Sequence, residues 1–188
     1  MKKLLSFGFM LLALLSMVGC GSGSLSGKSI FTEPGLAAKA ISELQEKPGL
    51  KDKDIQIFHN VIITEQEGLG NYIDINILVP DSKDKVDNYQ YKNGKWSDPA
   101  PVQITGDGDM KDNVMPLSSI DFSKIPEIYR SAEEKAKSIE KGKVDKTLTY
   151  IYYIDERAYK AMIKIEGARE SYTAMYDAKG KLLEMKKD

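Results

Sequence analysis

The chain has 188 residues, 41% of them hydrophobic and 29% charged, with a formal net charge of -1 at pH 7 and one cysteine. Near-balanced charge without a basic patch argues against nucleic-acid binding, and a single thiol excludes an internal disulfide framework. Where charges cluster, as in Glu133, Glu134, Lys135, Lys137, Glu140, Lys141 and Lys143, the signs interleave as on a solvated helix face.

Lys2 and Lys3 precede an apolar run from Leu4 to Leu15 that is broken only by Ser6 and Gly8. A positive start followed by an apolar stretch too short to span a bilayer reads as a removable secretory leader, residues 1–19. It ends on Ser16-Met17-Val18-Gly19-Cys20, and Gly21-Ser22-Gly23-Ser24 opens a flexible tether over residues 20–30. This arrangement resembles the lipobox of bacterial lipoproteins, with Met17 where leucine is usual. The resemblance implies that Cys20 is diacylated and becomes the first mature residue. The chain is then held in the cell envelope, outside the cytoplasm, by lipid in the membrane. Two acyl chains give stable anchoring where one holds only marginally.

About 168 residues follow the leader, enough for one ordinary domain or two small ones. Thr32 is a candidate N-cap with Pro34 in the first turn. Leu36, Ala37, Ala40, Ile41 and Leu44 recur at helical spacing until Pro48-Gly49. The period then changes to two. Ile55, Ile57, His59, Val61 and Ile63 alternate with mostly polar neighbours, Gly68-Leu69-Gly70-Asn71 turns the chain, and Ile73, Ile75, Ile77 and Val79 alternate in a second strand. A third strand, Asn88 to Lys92, turns at Asn93-Gly94, a strong hairpin signal. The return from Lys95 and Trp96 meets Pro99 and Pro101 and reads as an edge.

Residues 106–122 read as a linker. Ser123 then caps a helix carrying Ile125, Ile128, Tyr129, Ala132, Ala136 and Ile139, closed by Gly142. Strands are expected over Thr147 to Ile154, Tyr159 to Ile165, Tyr172 to Tyr176 and Lys181 to Met185, with a turn at Lys179-Gly180. Residues 31–105 and 123–188 therefore read as two copies of one unit, a helix followed by four antiparallel strands. The expected class is α+β, two tandem units, each a two-layer sandwich of helix on sheet. The closing segment, Tyr176-Asp177-Ala178-Lys179-Gly180-Lys181-Leu182-Leu183-Glu184, resembles the end of a PepSY-type domain. The tandem form is similar to PepSY-like, β-lactamase-inhibitor-protein-like lipoproteins and secreted proteins of bacteria. That resemblance implies a non-enzymatic binding or inhibitory module for an envelope protein or peptide.

Motifs for catalysis or cofactor binding are absent from the sequence. The lone histidine, His59, falls in the register of Ile57 and Val61, on the apolar face of its strand, and is the residue an envelope hydrolase would use. No Gly-x-Ser-x-Gly elbow accompanies it. Asp107, Asp109 and Asp112 lie in a glycine-bearing loop and could offer oxygen ligands to calcium in a metal-stabilised structural protein. The EF-hand pattern fails there, with Lys111 at a ligand position and no glutamate at the twelfth. Aromatic residues are the stronger lead. Tyr91 and Trp96 at the first hairpin, and Tyr150 and Tyr152 on one strand face, are the residue types that anchor interfaces. The strand holding Tyr150 is apolar on both faces, so it is either central in a core or reserves one face for a partner.

Overall fold

A computed structural model, describing residues 27–106 and 108–188, contains one antiparallel sheet of ten strands. Helix α1 (Leu36–Gln45) leads into β1 (Gln56–Gln66), β2 (Gly70–Leu78), β3 (Val86–Lys92), β4 (Lys95–Trp96) and β5 (Ala100–Val102). The short β6 (Val114–Pro116) and helix α2 (Ile125–Ala136) precede β7 (Lys143–Tyr153), β8 (Ala158–Glu166), β9 (Ser171–Asp177) and β10 (Leu182–Lys187). The order across the sheet is β10-β9-β8-β7-β1-β2-β3-β4, with β5 on β3 and β6 on β1.

This corrects the expectation of two tandem helix-plus-four-strand sandwiches. The strands form a single sheet because β1 and β7, eleven residues each, pair with one another from Asn60↔Ile151 to Thr64↔Thr147. Left apart, each would be a long apolar edge with unpaired N–H and C=O groups, a template for aggregation. Joined, they become the middle of the sheet, which is why β7 is apolar on both faces. The span 106–122 is also more than a linker. Within it β6 pairs with the start of β1, Gln56↔Pro116 to Phe58↔Val114, and takes the place beside β1 that β7 occupies further along.

One face of the sheet is covered. Two rows cross it from side to side: Tyr89·Ile75·Val61·Tyr150·Ala161·Tyr176 and Tyr91·Ile73·Ile63·Leu148·Ile163·Ala174. All twelve are buried in one cluster with the stripes of both helices, Leu36, Ala37, Ala40, Ile41 and Leu44 of α1 and Ile125, Ile128, Tyr129, Ala132 and Ala136 of α2. Phe31 meets Tyr129 at 5.2 Å between ring centroids, which ties the segment before α1 to α2. The helix starts differ in detail from the sequence reading. Gly35, in the left-handed conformation, stands at the N-cap of α1 instead of Thr32, while Asp121 caps the short turn before α2 through the Ser123 N–H. Gly142 is needed for room: a Cβ there would lie 2.2 Å from the Ala136 carbonyl oxygen.

A continuous core predicts one cooperative unfolding transition. Ile73→Ala in β2 and Ile163→Ala in β8 should each cost about 2–4 kcal/mol by leaving a cavity. Calorimetry and far-UV circular dichroism should show both substitutions lowering the same single transition. Two transitions, each moved by one substitution alone, would contradict the shared core.

Candidate functional site

The second face of the sheet carries the residues between the core positions, and both helices pack on the other side. One row on this face runs Gln90·Asp74·Ile62·Thr149·Met162·Met175·Glu184, and another contains Asn60·Ile151·Lys160·Asp177. Ile62, Ile151, Tyr153, Met162 and Met175 are all half-buried, so they form a shallow apolar strip over β1, β7, β8 and β9. Lys160 sits at its rim with its ammonium 4.5 Å from the Tyr153 ring centroid, a cation–π contact, and it also pairs with Glu156. The Tyr153 hydroxyl donates to the Met162 sulfur at 3.8 Å.

Toward β3 the same face becomes polar around one carboxylate. Asp74 accepts hydrogen bonds from the Tyr72 hydroxyl at 2.9 Å, the Asn88 amide at 2.8 Å and the Gln90 amide at 3.2 Å. Asn88 also donates to Asn76 at 2.9 Å. Partial burial first, and then the Asp74 carboxylate, push the Tyr72 hydroxyl up to about 12, so it stays a donor at neutral pH. The bare face thus has an apolar, methionine-bearing half and a fixed hydrogen-bonding half. Methionine adapts its shape to a partner, and a preformed polar network costs little ordering when a partner docks.

The aromatic residues singled out in the sequence lie on the covered face instead. Tyr91 is 2% exposed, Tyr150 0% and Tyr152 9%. Trp96 is half-buried; its indole N–H donates to the Ala40 carbonyl at 2.6 Å and its ring lies 5.4 Å from Tyr91. Tyr91, Tyr150 and Tyr152 are buried in the core, Tyr152 against Tyr159 of β8, and Trp96 is tied to α1. The parity of β7 was legible, yet the face that packs is that of Tyr150 and Tyr152, and the bare one is that of Ile151 and Tyr153. An apolar second face in β7, continued by Met162 in β8, was the signal for the strip.

His59 leaves the register expected for it. A bulge between Ile57 and Val61 puts it in the left-handed region, φ 62°, and turns its ring into solvent. There it stacks on Phe58 at 3.9 Å, and its Nε2 contacts the Asn113 side-chain oxygen at 3.1 Å. Asp109 is paired with Lys111 at 2.7 Å, whose hydrogen bond holds the carboxyl below its ordinary range, and Asp112 is paired with Arg157 at 3.1 Å. Asp107, like Cys20 and the leader, lies outside the described residues. Among the described residues no group of three or more His, Cys, Asp or Glu is placed to hold a metal ion, and no helix is long and apolar enough to cross a membrane.

No family model matches the chain, and no curated protein matches it significantly. Its fold is similar to that of a provisionally assigned lipoprotein from Clostridium difficile 630, known from a crystal structure at 1.85 Å resolution. The likeness has a TM-score of 0.58 at 13% identity and covers 85% of this chain and 97% of that one. It shows a shared fold.

The covered face yields a prediction about its tyrosines. Among the described residues the Tyr91 and Tyr150 hydroxyls are buried without a hydrogen-bond partner, whereas the Tyr159 hydroxyl donates to the Ile57 carbonyl at 3.3 Å. Burial pushes all three phenols upward and keeps them neutral. An unmade bond costs about 1–3 kcal/mol, so Tyr91→Phe and Tyr150→Phe should leave stability unchanged or raise it, while Tyr159→Phe should lower it by about 1 kcal/mol. Urea titration of the three variants measures this. A loss at Tyr91 or Tyr150 as large as at Tyr159 would show that those hydroxyls are in fact satisfied.

Proposed function

We propose that this chain is a non-catalytic binding or inhibitory module, anchored in the cell envelope by lipid on Cys20, that takes a protein or peptide partner on the bare face of its sheet. The observation that carries the reading is the arrangement of layers. Both helices cover one face of a ten-stranded sheet, and the other keeps an apolar strip of Ile62, Ile151, Tyr153, Met162 and Met175 beside the Asp74 hydrogen-bond network. A contiguous half-buried apolar strip rimmed by polar groups is the ordinary anatomy of a protein-docking surface.

Two further lines support it. The leader ending on Gly19-Cys20 has the form of a lipoprotein export signal, and the protein of similar fold is itself described as a lipoprotein. The closing hairpin resembles that of PepSY-type domains, whose tandem relatives are binding or inhibitory proteins outside the cytoplasm. His59 stands on an exposed bulge against an asparagine side chain, far from a nucleophile–base–acid arrangement.

The test is capture of an envelope partner by the acylated protein from native membranes. Met162→Glu and Ile151→Glu should weaken capture about tenfold or more. Their melting temperatures should stay within about 3 °C of the parent, as for substitutions outside the core. The milder Met162→Ala/Met175→Ala pair guards against misfolding of the charged variants. Undiminished capture by all of these correctly folded variants would remove the bare face as the binding site.

A further inference from the structure

The structure fixes where the tether leaves the fold. The Ile30 N–H donates to the Asn71 side-chain oxygen at 2.8 Å, the Asn71 amide donates to the Lys28 carbonyl at 2.7 Å, and the Ser29 hydroxyl bonds to Glu65. Glu65 and Asn71 face each other at the β1–β2 hairpin. Residues 28–30 are therefore pinned to the end of the sheet where β1 turns into β2. Seven residues, 21–27, separate Cys20 from this pin, and the eight steps from Cys20 to Lys28 reach about 28 Å even fully extended. If Cys20 carries the acyl chains, this end of the sheet cannot stand far from the bilayer.

Register identifies what else lies at that end. Lys92 is opposite Tyr72, and Thr64 lies between Tyr72 and Thr147. On the far half Lys164 is opposite Thr173, and Lys143 is opposite Glu166. The turns Asn93-Gly94 and 137–142 close the same end and bring Lys95 and Lys141 to it. Lys92, Lys95, Lys141, Lys143 and Lys164 are exposed, and among the described residues none has a carboxylate within ion-pair distance. The end is not purely basic, since Glu67, Asp145, Glu166 and the terminal Asp188 share it. The opposite end has the reverse balance. There Asp52, Asp84, Asp87 and Asp155 are without an ion-pair partner among the described residues, and neighbouring loops add Asp54, Asp121 and Asp177 against Lys83, Lys85, Lys179 and Lys181. Among these groups five lysines stand against four carboxylates at the tether end, and four lysines against seven aspartates at the other, so charge is asymmetric along the strands and the tether leaves from the less acidic, lysine-bearing pole.

We infer that this pole, bearing Lys92, Lys95, Lys141, Lys143 and Lys164, rests on anionic phospholipid headgroups, so that the strands stand up from the bilayer. The inference rests on the lipid anchor proposed above and adds an orientation to it. A negative surface attracts lysines within about a Debye length, ~8 Å at physiological salt, and repels the aspartate-rich pole. The bare face would then project sideways, open to a partner in the space above the membrane.

The acylated mature chain, beginning at Cys20, reconstituted in vesicles tests this. One set contains phosphatidylcholine alone and another includes about one third phosphatidylglycerol, an anionic surface of the kind that attracts basic segments. Flotation reports the anchor. Acylation of lysines by a water-soluble amine reagent, read by mass spectrometry, reports the orientation. The protein should float with both vesicle types. On the anionic vesicles alone, modification of Lys92, Lys95, Lys141 and Lys143 should slow about threefold or more relative to Lys83 and Lys179, and ~0.5 M salt should abolish the difference. Lys92→Glu together with Lys143→Glu should abolish it as well, with flotation intact. Protein that floats while these ratios are equal on both vesicles would overturn the orientation and leave the anchor standing. Protein that does not float would overturn both.

Discussion

The pairing of β1 with β7 is the constraint on which the rest of the structure depends. Five consecutive residue pairs, Asn60↔Ile151 to Thr64↔Thr147, join two runs of strands that each extend outward in chain order. That junction determines that Val61 meets Tyr150 and Ile63 meets Leu148 on one face, while Ile62 meets Thr149 on the other. Because side chains alternate strictly along a strand, a slip of one residue would exchange the two faces and expose the core. Thr64 and Thr147, whose hydroxyls lie 3.1 Å apart, close the register at one end. At the other end the His59 bulge lets β1 change partners, from β7 to β6.

Much of the architecture is local and could be read from residues. Alternating isoleucines marked β1 and β2, and Asn93-Gly94 marked the β3–β4 turn, where both residues have positive φ as a tight hairpin requires. The amphipathic stripes of both helices were equally plain. What alternation does not encode is which strand lies beside which. Separate sheets and one continuous sheet need the same pattern in β1 and β7, and the difference shows only in the apolar second face of β7. His59 illustrates another limit. Four steps of β1, Ile57 to Val61, lie against two of β2, so the parity resumes beyond the bulge, and no residue near His59 announces the left-handed turn it makes.

The candidate site was harder to read for a related reason. Tyrosine and tryptophan serve in cores and interfaces alike, since a large apolar ring with a polar tip suits both. In this fold Tyr91, Tyr150 and Tyr152 are buried in the core, and Trp96 reaches back to α1 through its indole N–H. The bare face uses less conspicuous residues: two methionines, two isoleucines and a tyrosine, next to a carboxylate that organises three side-chain donors. Separating structural from available aromatics required the sheet order, which assigns each parity to a covered or an open side.

Native-state hydrogen exchange on the β1–β7 ladder tests the central claim most directly. If that ladder is the middle of one sheet, the amides within Asn60–Thr64 and Thr147–Ile151 that bond across it should be among the slowest in the molecule, exchanging only with global unfolding. Exchange of these amides at the rate of the edge strand β10, well before global unfolding, would mean that the two runs of strands are not one sheet.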